Sequence, residues 1–111
     1  MTVELHINFK DPHRERVQQP FLFHATLIDI WLPIAEHLRL PMLEKTGVLM
    51  LYDEDSAREL LTELRTVQTF IRKTRRLLGP DRLWLYGRLC KVIALVEDAV
   101  THWDAVADVS L

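Results

Sequence analysis

Val3, Leu5, Ile7 and Phe9 alternate with Glu4, His6, Asn8 and Lys10. That period of two predicts a strand over residues 2–9 with one buried face. Asp11-Pro12 ends it, and the polar stretch to Gln19-Pro20 reads as a loop. From Phe21 to Leu40 apolar residues crowd too densely for any period to stand out, so length decides for helix. Pro33 inside that run either kinks one helix or opens a second after a break near Trp31, and Pro41 closes the segment.

After Gly47 the short apolar run Val48, Leu49, Met50, Leu51, Tyr52 predicts a buried strand over 47–52. Asp53, Glu54, Asp55 and Ser56 then supply carboxylates and a capping oxygen for a helix N-terminus. A helix over 55–78 follows, because Ala57, Leu60, Leu61, Leu64, Val67, Ile71 and Leu78 recur at steps of three and four and form one stripe. Gly79-Pro80-Asp81 reads as stop, turn and restart. A second helix over 81–104 carries the same spacing through Leu85, Leu89, Val92, Ile93, Val96, Val100 and Trp103. The two arms predict an antiparallel helical hairpin, each arm about 35 Å long. Gly87 inside the second arm costs helix propensity, which suggests a close approach by a neighbour. Residues 107–111 are expected to return as a short strand beside the first.

The fold class is therefore α+β: a long antiparallel helical hairpin plus an N-proximal helix, packed on a small sheet of two or three strands. Should the strands fail, an all-α bundle is the fallback. At 111 residues the chain has the size of one small globular domain spanning 1–111. With 49% apolar and 27% charged residues it has the makeup of a folded protein. No apolar run approaches the roughly 20 residues of a membrane span, and Glu4, His6 and Asn8 interrupt any leader-like pattern. A lone cysteine, Cys90, fits a reducing compartment, so a cytoplasmic setting is the default.

Charge changes the picture more than composition does. Residues 58–91 hold nine basic groups against three acidic ones, whereas 1–57 hold five against nine and 92–111 hold none against four. A nearly neutral chain thus contains a strong local positive field. At 100° per residue, Arg58, Arg65 and Arg72 fall within about 40° of one another, and Arg76 joins them a turn later. This stripe lies beside the apolar face. Its bland reading is a solvated flank whose last cations also complement the helix C-terminus. Its sharper reading is a docking surface for carboxylates, since no acid interrupts Arg65 to Arg76 and the guanidinium fork suits that ligand. A second strip on the other arm, Trp84, Arg88 and Lys91 with Leu95 and His102, has the composition of interface hot spots or packs under the crowded segment 21–40.

Other chemistry is sought without success. Asp53-x-Asp55 fails as a calcium loop, with Arg58 at the sixth place and Leu64 at the twelfth, and reads better as a helix cap. The histidines at 6, 13, 24, 37 and 102 lack zinc-ligand spacing, and the three glycines form no phosphate loop. No catalytic residue, cofactor or metal is assigned.

The expectation is a non-catalytic protein-interaction module of the inhibitor, adaptor or immunity type, binding an acidic protein partner through Arg58, Arg65, Arg72, Arg76, Trp84, Arg88 and Lys91. Nucleic-acid binding by the same stripe is the first alternative, disfavoured by the acidic flanks. A small enzyme with a site dispersed over His24, Asp29, His37 and Cys90 is the second. A weak, salt-sensitive homodimer would arise if Glu97, Asp98, Asp104 and Asp108 of one copy faced the basic stripe of another.

Overall fold

The structure is a computed structural model that describes residues 2–74 and 81–111. The predicted first strand is present as β1 (Thr2–Phe9), with Val3, Leu5 and Ile7 buried and Glu4, His6 and Asn8 on the other face. The polar stretch after it is not all loop. Val17–Phe23 forms β2, which pairs antiparallel with β1 from Thr2↔Phe23 to Ile7↔Val17. Two features hid it. The register shifts between Val3 and Glu4, leaving Phe21 as an extra residue that breaks the alternation. Pro20 also argues against a strand, yet it sits opposite Glu4 on an edge strand, where its missing N–H takes nothing from the ladder.

The helical segment consequently begins at His24 and not at Phe21. It runs through α1 (His24–Thr26), a π-helical turn (Leu27–Trp31) and α2 (Leu32–His37). The Leu32 N–H reaches back to the Leu27 carbonyl, so the chain neither breaks nor restarts at Trp31. It widens by one residue just ahead of Pro33, where an α-helical ladder would meet a ring lacking a donor. Trp31 is buried by this turn, with its ring edge-on to Phe21 at 4.9 Å. Its indole N–H donates to Thr46 Oγ1 at 3.0 Å, and the Thr46 hydroxyl donates to the Leu43 carbonyl at 2.6 Å.

Residues 47–52 contribute less ladder than the apolar run implied. Only Leu51–Tyr52 forms β3, beside β4 (Val106–Ser110). The expected C-terminal strand is therefore present, and it lies antiparallel to β1 as well. The sheet has four strands in the order β2-β1-β4-β3, one more than the sequence predicted, and all its pairings are antiparallel.

α3 (Glu54–Lys73) starts where the carboxylate run predicted. Asp53 Oδ1 accepts the Ser56 N–H at 2.8 Å while Ser56 Oγ accepts the Asp53 N–H at 2.9 Å, a reciprocal cap. That arrangement holds the Asp53 carboxyl below its ordinary value, because the hydrogen bonds favour the charged form. The helix gives way at Thr74; Leu78 and the turn at 79–81 lie outside or at the margin of the described residues. α4 (Asp81–Thr101) ends three residues earlier than predicted, where His102 leaves helical geometry and Trp103–Ala105 forms a 3-10 turn into β4. Arg65 meets Glu97 while Gln68 meets Cys90, so α3 and α4 run antiparallel. Ala57, Leu60, Leu64, Val67 and Ile71 of α3 and Leu85, Leu89, Val92 and Val96 of α4 join β1, β2 and Trp31 in one core cluster. Gly87 does not serve a close approach: it is exposed, and a Cβ built there meets nothing within 4 Å.

Candidate functional site

The stripe of α3 does not remain a row of free cations. Arg58 reaches back one turn to Glu54 at 3.6 Å, and Arg65 Nη2 donates to Glu97 Oε2 of α4 at 2.7 Å. Both pairs are about half exposed, so each adds little stability, but each places an own-chain carboxylate where a partner's would dock. Arg72 and Lys73 are exposed and have no ion-pair partner among the described residues. Arg76 lies outside the described residues.

The acidic C-terminal region is engaged in the same way. Besides Glu97, Asp98 sits 3.3 Å from His102, and Asp108 accepts from Asn8 at 2.8 Å. An intermolecular contact between this region and the stripe would have to break the Arg65–Glu97 pair.

The second strip has a different architecture. At 100° per residue Arg88 lies on the opposite side of α4 from Glu97, and Trp84 about 140° away, so this strip and the α3 flank are separate surfaces. Trp84 is half-buried and its ring stacks on Phe23, the last residue of β2, at 5.5 Å with 14° between the planes. The Arg88 guanidinium lies over the Trp84 ring at 4.9 Å and donates to the Pro20 carbonyl at 3.0 Å. Phe23 remains 53% exposed, and Leu83 beside Trp84 is 72% exposed. Lys91, a turn beyond Arg88, is exposed without an ion-pair partner among the described residues. Phe23 is the member that sequence reading missed, because residues 21–23 were assigned to a helix. Its place at the end of an edge strand is what sets it under Trp84.

The dispersed candidates for catalysis are not brought together by any contact described. His37 leans on the Phe70 ring at 5.7 Å, Cys90 accepts from Gln68 Nε2 at 3.4 Å, and His24 and Asp29 are exposed. A cleft of about 180 Å³ on the open face of the sheet is lined by other residues, among them Glu4, His6, Leu49 and Leu111. Among the described residues no group of three or more His, Cys, Asp or Glu is placed to hold a metal ion, and no helix is long and apolar enough to cross a membrane.

The buried-side carboxylate of α3 has a structural task. Glu63 accepts the Met42 and Leu43 N–H groups, each at 3.1 Å, and so ties the 3-10 turn Leu43–Lys45 to α3. Burial pushes its carboxyl above the ordinary value against the pull of those N–H donors, with Glu59 and Glu44 adding to the rise. Burial likewise raises the neighbouring Tyr52 hydroxyl, helped by the Glu63 charge. No family model, curated protein or solved structure matches the chain, so its surfaces have to be read from their own chemistry.

Proposed function

We propose that the chain is a non-catalytic, cytoplasmic protein-interaction module that grips an acidic protein segment through the Trp84–Arg88 face of α4. The observation that carries this reading is the pre-ordered cation. Arg88 is fixed over an aromatic platform and tethered to the Pro20 carbonyl, with no carboxylate of its own chain beside it among the described residues. A guanidinium already held in place loses less freedom on binding than a free one, and its remaining N–H groups suit a carboxylate. Phe23 and Leu83 supply apolar surface next to it, and Lys91 extends the positive field. Arg72 belongs to the other flank and is a secondary contact at most, while Arg58 and Arg65 already hold carboxylates.

The test is affinity capture from source lysate with three baits: wild type, Arg88→Glu with Lys91→Glu, and Arg58→Glu with Arg65→Glu. The α4 double variant is expected to lose a protein partner that the α3 variant keeps. Equal retention by both variants would end this reading. If the captured material is nucleic acid, its binding falls steeply and log-linearly with salt, which marks the alternative.

A further inference from the structure

We infer that the edge of the sheet at residues 48–51 is a self-association seam, at which two copies pair antiparallel about a two-fold axis through Met50. The inference is independent of the α4 face. Met50 exchanges both backbone hydrogen bonds with Leu111, its N–H donating at 3.4 Å and its carbonyl accepting at 3.3 Å. Backbone groups alternate sides along an extended chain, so those of Leu49 and Leu51, on either side of Met50, face away from β4. β3 is the last strand of the sheet on that side, and among the described residues these groups meet no neighbour in the ladder.

The side chains alternate as well. Tyr52 is buried and Met50 half-buried, whereas Leu49 and Leu51 are 75% and 71% exposed. They project on the open face of the sheet, where Leu51 stands opposite Ser110 and Leu49 lines the cleft beside His6. Large leucines that exposed on a strand edge form a template for another strand.

Three properties of this segment select a second copy as the occupant. With Met50 on the axis, Leu49 stands opposite Leu51 of the other copy, and the same holds in reverse. The outward backbone groups of both leucines then face each other as hydrogen-bonded pairs. All four leucine side chains also meet on one face. Charge agrees with this direction: exposed Glu44 and Lys45, which cancel, precede the segment, and Asp53, Glu54 and Asp55 follow it. Antiparallel pairing sets the acidic end of each copy against the neutral end of the other, while parallel pairing would set acid beside acid.

Sedimentation of the full chain from low micromolar to near-millimolar concentration tests the seam. Wild type is expected to dimerise and to remain dimeric in high salt. Leu49→Lys with Leu51→Lys, at positions mostly open to solvent, should keep the circular dichroism spectrum and weaken the dimer by at least about tenfold. A Leu49→Glu, Leu51→Glu copy should restore pairing when mixed with the lysine copy, because each altered position faces its complement. Hydrogen exchange adds a readout that does not depend on variants: the Leu49 and Leu51 amides should gain protection as the dimer forms. A wild type that stays monomeric throughout overturns the proposal. So does a dimer that the lysine variant leaves intact, or one whose formation leaves those two amides unprotected. Dimers that dissolve in salt and ignore both leucines would point instead to charge pairing elsewhere.

Discussion

The two edges of the sheet are finished in opposite ways. Along β2 the chain spends seven residues, a register shift and a proline. Pro20 has no N–H to offer, its carbonyl is taken by Arg88, and Phe23 is capped by Trp84. Along β3 only two residues join the ladder, and the Leu49 and Leu51 side chains stand mostly in solvent. One edge is closed by a helix laid across its end; the other is left short and greasy. The contrast separates two surfaces that composition alone could not tell apart. A covered edge presents fixed side chains to a partner, whereas an open one presents backbone.

The largest test of that contrast strikes the anchor of the closed edge. Phe21 is fully buried and packs edge-on against Trp31, so Phe21→Ala should cost about 3–5 kcal/mol in denaturant unfolding. A loss near zero would mean that the bulge does not anchor β2. Thr46→Val comes next. It keeps the shape but leaves the buried Trp31 indole N–H without its acceptor, for a loss of about 1–3 kcal/mol, visible also as a changed tryptophan emission. Gly87→Ala should act in the other direction. The site is exposed and empty around the new methyl, so α4 gains helix propensity and the fold about 1 kcal/mol. A destabilised variant would show that α4 needs glycine freedom where it crosses β2.

The smallest effect is a pH slope on the β3 side. Glu63 has a raised pKa when folded, so the folded state holds its proton more tightly than the unfolded chain does. Its contribution is therefore greatest at low pH and is lost as pH rises from the ordinary glutamate value of 4.5 through the raised one. Asp53 has the opposite sign: lowered when folded, it contributes above its ordinary 3.8 and loses that as pH falls through the lowered value. Glu63→Gln keeps an acceptor for the Met42 and Leu43 N–H groups and should flatten the first slope while leaving the second. Chemical unfolding at stepped pH reads both. An unchanged profile in the window above 4.5 would show that Glu63 does not titrate there.

Much of the architecture was legible because it is written locally. β1 announces itself by alternation, α3 by its stripe and its Asp53–Ser56 cap, and β4 by a short apolar return at the end of the chain. β2 was not legible, since the residue count of a bulge and the tolerance of Pro20 both depend on the strand opposite. The stripe of basic residues along α3 can be read from spacing alone, but nothing near Arg65 in sequence reveals Glu97, thirty-two positions away. For the other strip, Trp84 and Arg88 were visible one turn apart, while Phe23 and the Pro20 carbonyl were not.

By itself the sequence determined that helices of two long amphipathic arms and strands of alternating pattern would share one chain, and that positive charge would gather on the arms. Periodicity and capping chemistry act over a turn or a few residues, so they survive in a linear reading. Only the tertiary structure decided which cations meet carboxylates, which aromatic lies under Trp84, and which strand is left at the open edge. Those outcomes depend on distances between residues far apart in the chain, and folding alone sets them.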